Sequence, residues 1–212
     1  IKDFTPIGRV ATATYVLAVS AALPVKSVPE LIGYAKSRAG QLNYASTGNG
    51  TGVHLAGAFF NHKAGLDIRH VPYNSVPQAF VDISSGAVAI MFYPYQPLIP
   101  LVQTGKARLL ATTGVKRAAY LADLPTVTEA GLADFVFFAW HGFYGPAGMP
   151  KQHVETFYNA MVKAMADPKV ISNLLTTGVE VDLIAPKAFA AFTRGEIARY
   201  RQIISVAGAG AQ

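Results

Sequence analysis

The 212-residue chain has no cysteine, which excludes disulfides, thiolate metal ligands and cysteine nucleophiles. Charge is scarce as well, at 14% of residues, and the excess that gives +6 is scattered, with no run of five basic residues. A solvated basic surface is therefore expected, and no nucleic-acid footprint. No apolar run reaches the roughly 18 residues that a spanning helix needs, so the chain is not expected to enter a membrane. The five histidines show neither H-x-H nor H-E-x-x-H spacing, and no metal site is expected. Phosphate-binding and dinucleotide signatures are missing too. No Gly-Lys-Ser/Thr opens a helix, and in Gly48-x-Gly50-x-Gly52 the third glycine of the dinucleotide fingerprint is replaced by Val53. No cofactor is expected.

What is present is a half-hydrophobic chain able to bury a sizeable core. Residues 4–23 read as extended. A helix begins at Ser27, which has capping-box spacing to Glu30, and ends near Gly40. Strands near 42, at 68–73, at 88–92 and at 107–112 then alternate with helices at 51–62, 77–85 and 98–103. That alternation predicts an α/β domain with a mostly parallel sheet. After an aromatic extended run at 135–144 and the breaker 145–150, three helices are predicted at 151–165, 168–176 and 186–204. The last carries a stripe of Phe189, Phe192, Ile197, Tyr200 and Ile204, and no further strand is expected among these helices. Residues 207–212 read as a loose tail. Ile1 is not a methionine and the chain opens directly on a strand-like run, so processing or a missing N-terminal portion is expected.

The most informative segment runs from Leu42 to His54: strand, glycine- and hydroxyl-rich turn, helix start. Small residues admit a ligand to the backbone, and the unpaired N–H groups of a first helical turn attract an anion. Ser46, Thr47, Gly48, Asn49, Gly50 and Thr51 are thus candidate anion ligands, with His54 one turn into the helix. Ligands of such sheets sit at the carboxyl ends of the strands, which adds Tyr73 and Tyr93. Trp140 and His141, in the aromatic run, complete the candidate site. No nucleophile elbow of the G-x-S-x-G type surrounds Ser46, so a hydrolase built on Ser46 and His54 is disfavoured and no catalytic residue is assigned.

Several stretches together resemble one family. They are Asp3-Phe4-Thr5-Pro6-Ile7, the 27–39 helix, 42–51, His70-Val71-Pro72-Tyr73, Gly105-Lys106-Ala107-Arg108, 124–132, Trp140-His141-Gly142 and Pro146-Ala147-Gly148-Met149-Pro150. The chain resembles the periplasmic solute-binding subunits of tripartite tricarboxylate transporters, the Bug or TctC proteins. The resemblance implies a type II periplasmic-binding fold of two lobes closing on a small carboxylate. It places 1–17 and 140–212 in the first lobe, incomplete because an N-terminal segment is missing, and 18–139 in the second. It also implies membrane transporter subunits as partners and the periplasm of a Gram-negative bacterium as location. Where the family often has Met-Phe-Asp-Asn, this chain reads Met91-Phe92-Tyr93-Pro94. Losing that acid disfavours amino-acid ligands, and the aromatic walls favour an aromatic acid. The alternative is the effector domain of a LysR-type transcription regulator, which shares the fold.

Overall fold

A computed structural model describes residues 2–209; Ile1 and positions 210–212 of the expected tail lie outside the described residues. By contact the chain forms two compact units, 14–138 with the segment from 202, and the N-terminal residues to 13 with 139–201.

The larger unit is built on five strands. They are the second half of β1 (Phe4–Ser20), β2 (Asn43–Ser46), β3 (Arg69–Pro72), β4 (Ile90–Pro94) and β5 (Ala107–Thr112), in the order β3-β2-β4-β1-β5. β2 runs parallel to β3 and β4, as the alternation predicts. β1 is the exception, inserted antiparallel between β4 and β5. Its Val16, Leu17, Ala18 and Val19 have no exposed surface, the unbroken apolar run of a central strand covered on both faces.

Between the strands lie α1 (Val28–Lys36), α2 (Gly52–Ala64), α3 (Val76–Ser85) and α4 (Tyr95–Gln103). Ser27 caps α1 by accepting from the Glu30 N–H at 3.3 Å, while the Glu30 carboxylate takes the Lys26 N–H at 2.8 Å. The box therefore closes one residue earlier than the standard pattern. α2 ends at Gly65 in the left-handed region, where glycine carries no Cβ penalty. α4 starts at Tyr95, three residues before the sequence places it, because β4 hands directly over to it at Pro94.

The smaller unit contains the first half of β1, β6 (Phe138–Pro146) and β7 (Val179–Ile184), both paired with β1, together with α5 (Lys151–Met165), α6 (Pro168–Thr176) and most of α7 (Pro186–Val206). β7 corrects the expectation that the C-terminal part has no strand. Its Val179 pairs with Ala13 and its Ile184 with Arg9, antiparallel. The buried stripe of α7 also differs: Phe189, Thr193, Glu196 and Ile203 are inside, whereas Ile197 is exposed. The polar members are satisfied. Thr193 bonds the Phe189 carbonyl and the Tyr144 hydroxyl, each at 2.8 Å, and Glu196 holds Arg199.

Candidate functional site

β2 and β3 end side by side, and the Tyr73 N–H donates to the Ser46 carbonyl at 2.9 Å. Residues 46–51 then turn sharply through Gly48 (φ 120°) and Gly50 (φ 75°), conformations that side chains with a Cβ avoid. Thr51 is the N-cap of α2: its hydroxyl donates to the Gly48 carbonyl at 2.8 Å and accepts from the His54 N–H at 3.4 Å. Among the described residues nothing accepts from the N–H groups of Gly52 and Val53. They remain for an outside acceptor, aided by the helix dipole. The fold thus brings Ser46, Thr47, Gly48, Asn49, Gly50, Thr51 and His54 together. Within that set Asn49 and Gly50 are exposed, whereas Ser46 and His54 are buried.

Beneath the turn lies a polar aromatic stack. The His54 and His70 rings are parallel with centroids 3.9 Å apart, and Tyr44 stacks on His70 at 5.0 Å. Ser46 Oγ accepts from the Gly48 N–H at 3.1 Å and lies 2.6 Å from His70 Nε2. His54 Nδ1 accepts from the Gly50 N–H at 3.0 Å, which leaves the proton of the neutral ring on Nε2. Both imidazoles are held neutral. Burial lowers His54, and burial with the neighbouring His54 lowers His70 from 6.5 to about 4. Burial likewise raises the Tyr44 phenol. The hydroxyl–imidazole pair is therefore Ser46 with His70, not with His54, and a fully buried serine presents no nucleophile to solvent.

The aromatic candidates differ in what their polar ends do. Tyr73 donates to Asp82 Oδ2 at 2.6 Å, and burial with that carboxylate pushes its phenol up to about 12. Half-buried Tyr93 packs edge-on against Phe80, with ring centroids 5.5 Å apart, and its hydroxyl has no protein partner among the described residues. Trp140 and His141 belong to the smaller unit. There Trp140 stands edge-to-face to Phe189 and Phe192, at 5.7 and 5.4 Å, and His141 is exposed.

Sequence reasoning misses Tyr44, His70 and Tyr15. Parallel pairing places Tyr44 beside His70, and Ser46 follows two residues later on the same face. Tyr15, on β1, reaches the first residue of α2: a Cβ on Gly52 would stand 2.6 Å from its hydroxyl oxygen. A cavity of about 630 Å³ opens beside the stack, lined in part by Asn49, Gly50, His54, Asn61 and His70. No group of three or more histidine, aspartate or glutamate side chains suited to a metal occurs among the described residues. No described helix is long and apolar enough to cross a membrane.

The profile of the tripartite tricarboxylate transporter family receptor matches residues 1–209. A curated relative from Pseudomonas sp. (strain P51), a UPF0065 protein encoded in the tcbD-tcbE intergenic region, is 31% identical over 204 residues, 96% of this chain. The chain spans 61% of that relative's length. Among solved structures, R. palustris Rpa4515 with adipate is 30% identical, with a TM-score of 0.80 over 98% of this chain and 69% of that one. The periplasmic binding protein BugD is 28% identical, with a TM-score of 0.76 over 99% and 71%.

Proposed function

The chain belongs to the tripartite tricarboxylate transporter family of receptors, and from that premise we propose that it is a non-enzymatic periplasmic receptor that captures a small organic carboxylate. It hands this ligand to the membrane subunits of its transporter in a Gram-negative bacterium. The observation that carries the reading is the 46–51 turn, with two free first-turn N–H groups behind a threonine cap. These are neutral donors. They recognise a carboxylate without the deep ion pair that would slow release, and release is half of a transport receptor's task. The adipate of Rpa4515 supports the same ligand class. The match along 1–209 favours a transport receptor over a transcription-regulator effector domain.

The ligand body is the finer part of the proposal. Tyr93 stands at the strand end without an acid beside it in sequence, so an ammonium group finds no partner there and its aromatic wall suits a flat apolar acid. Calorimetric titration of the full-length protein with adipate, L-malate, benzoate and L-aspartate tests both levels. Binding of at least one of the three non-amino acids is expected, and a ligand held at a hundred times its Kd should add about 2.7 kcal/mol of stability. Heat with sugars alone, or with none of the acids, overturns the carboxylate reading. Preference for L-aspartate overturns only the finer one.

A further inference from the structure

Tyr15 is fixed more firmly than an ordinary strand residue. Its N–H donates to Thr113 Oγ1 at 3.1 Å, and its carbonyl accepts from the Thr113 N–H and hydroxyl, each at 3.0 Å. Its ring stacks on Phe137 with centroids 5.9 Å apart. So anchored, the phenol is aimed at the start of α2, where Gly52 has no side chain to block it. Gly52 adopts no unusual φ, so the glycine there is explained by the space Tyr15 occupies. The hydroxyl has no protein partner among the described residues, and it occupies the place of a Cβ on Gly52, the first residue of α2, whose own N–H also has none. Tyr93, whose hydroxyl is equally free, is close enough to act on it: burial and the neighbouring Tyr93 both raise the Tyr15 phenol. That keeps it a proton donor.

We infer that Tyr15 is a ligand-binding residue whose phenol donates a hydrogen bond to the carboxylate seated on the Gly52 and Val53 N–H groups. This rests on the carboxylate-receptor reading. It adds a neutral O–H donor held in place before the ligand arrives, so little ordering is needed on binding. Gly52 and Tyr15 then form a linked pair. Alanine at Gly52 meets the hydroxyl oxygen at 2.6 Å, whereas the next ring atom is 3.5 Å away, an ordinary contact.

The test is titration of the full-length protein with adipate, L-malate and benzoate, comparing wild type, Tyr15→Phe, Gly52→Ala and the double variant. Tyr34→Phe, on α1, serves as control. Tyr15→Phe should weaken the bound acid by about 2- to 12-fold, the worth of one neutral hydrogen bond, with an unchanged thermal midpoint. Gly52→Ala alone should bind less well than the double variant, because removing the hydroxyl removes the clash. Wild-type affinity in Tyr15→Phe overturns the inference while leaving the receptor reading intact. Failure of wild type to bind any acid overturns both.

Discussion

The hydroxyl oxygen of Ser46 lies 2.6 Å from Nε2 of His70, across the ends of two parallel strands. This pair turns a glycine-rich loop into a defined surface. Ser46 also accepts from the Gly48 N–H, and His54, stacked on His70, accepts from the Gly50 N–H. Two loop amides are thereby held from below, whereas those of Gly52 and Val53 have no acceptor among the described residues. Side chains that would themselves attract a reactive assignment instead organise the backbone of the proposed carboxylate site.

Acid should loosen this arrangement. His70 is lowered from 6.5 to about 4 in the folded protein, chiefly by burial and then by His54. A base with a lowered folded value binds fewer protons folded than unfolded between those two pH values. Its contribution is therefore complete above about 6.5 and is lost as the pH falls toward 4. Discounted for its partial exposure, the loss is about 1–2 kcal/mol. Urea unfolding at pH 7.5 and 4.5 measures it, with His70→Gln as reference. The wild type should lose more stability over this interval than the variant, and equal losses would exclude His70 as the source.

Thr51 is expected to link helix stability to ligand capture. Its hydroxyl caps α2 and ties back the Gly48 carbonyl, so Thr51→Ala should cost about 1 kcal/mol in denaturant unfolding. It should also weaken carboxylate binding, because the loop loses its tether. Thr51→Ser keeps the oxygen and should restore both. Restored stability with unrestored binding would show that the methyl group, not the cap, matters to the ligand.

Tyr73 stands at a proposed site position, but its polar group is engaged elsewhere. Its hydroxyl is committed to Asp82 Oδ2 at 2.6 Å. Tyr73→Phe should therefore cost about 1 kcal/mol of stability through the lost hydrogen bond, with carboxylate affinity changed less than about twofold, since 1.4 kcal/mol is tenfold. A larger loss of affinity at unchanged stability would show that the phenol leaves Asp82 for the ligand.

Local signals made the 46–51 turn legible in the sequence. Glycines at positive φ, a threonine cap and an apolar helix behind it are all encoded within a few residues, as is the Ser27 cap of α1. What the sequence hides is contact across distance. His70 meets Ser46 only through the parallel register of β2 and β3, and Tyr15 meets Gly52 only because β1 enters the sheet antiparallel. The missed β7 has the same cause. Its six residues are mostly half-buried, so their alternation is weak, and pairing with β1 defines the strand. In α7 the buried Thr193 and Glu196 defeat a stripe drawn from apolar residues alone.

Gly57 offers the sharpest test of the packing beneath the loop. It lies in the middle of α2, where glycine costs about 1 kcal/mol relative to alanine in an open helix, so Gly57→Ala would normally stabilise. Here the space for a Cβ is filled by the ring of Tyr44, the same ring that stacks on His70. The ring is buried at 3% exposure, with its hydroxyl 3.4 Å from the His54 carbonyl, so admitting a Cβ means moving it off that contact and off the His70 ring. Overpacking of this kind costs about 1–3 kcal/mol. The variant should therefore be less stable in urea, and it should also bind carboxylate less well, since moving Tyr44 moves His70 and with it the Ser46 contact. The exposed Gly33 of α1 has nothing within 4 Å of its Cβ position. Gly33→Ala should gain up to about 1 kcal/mol with binding unchanged. Equal gains at both positions would show that α2 does not rest on Tyr44 as described.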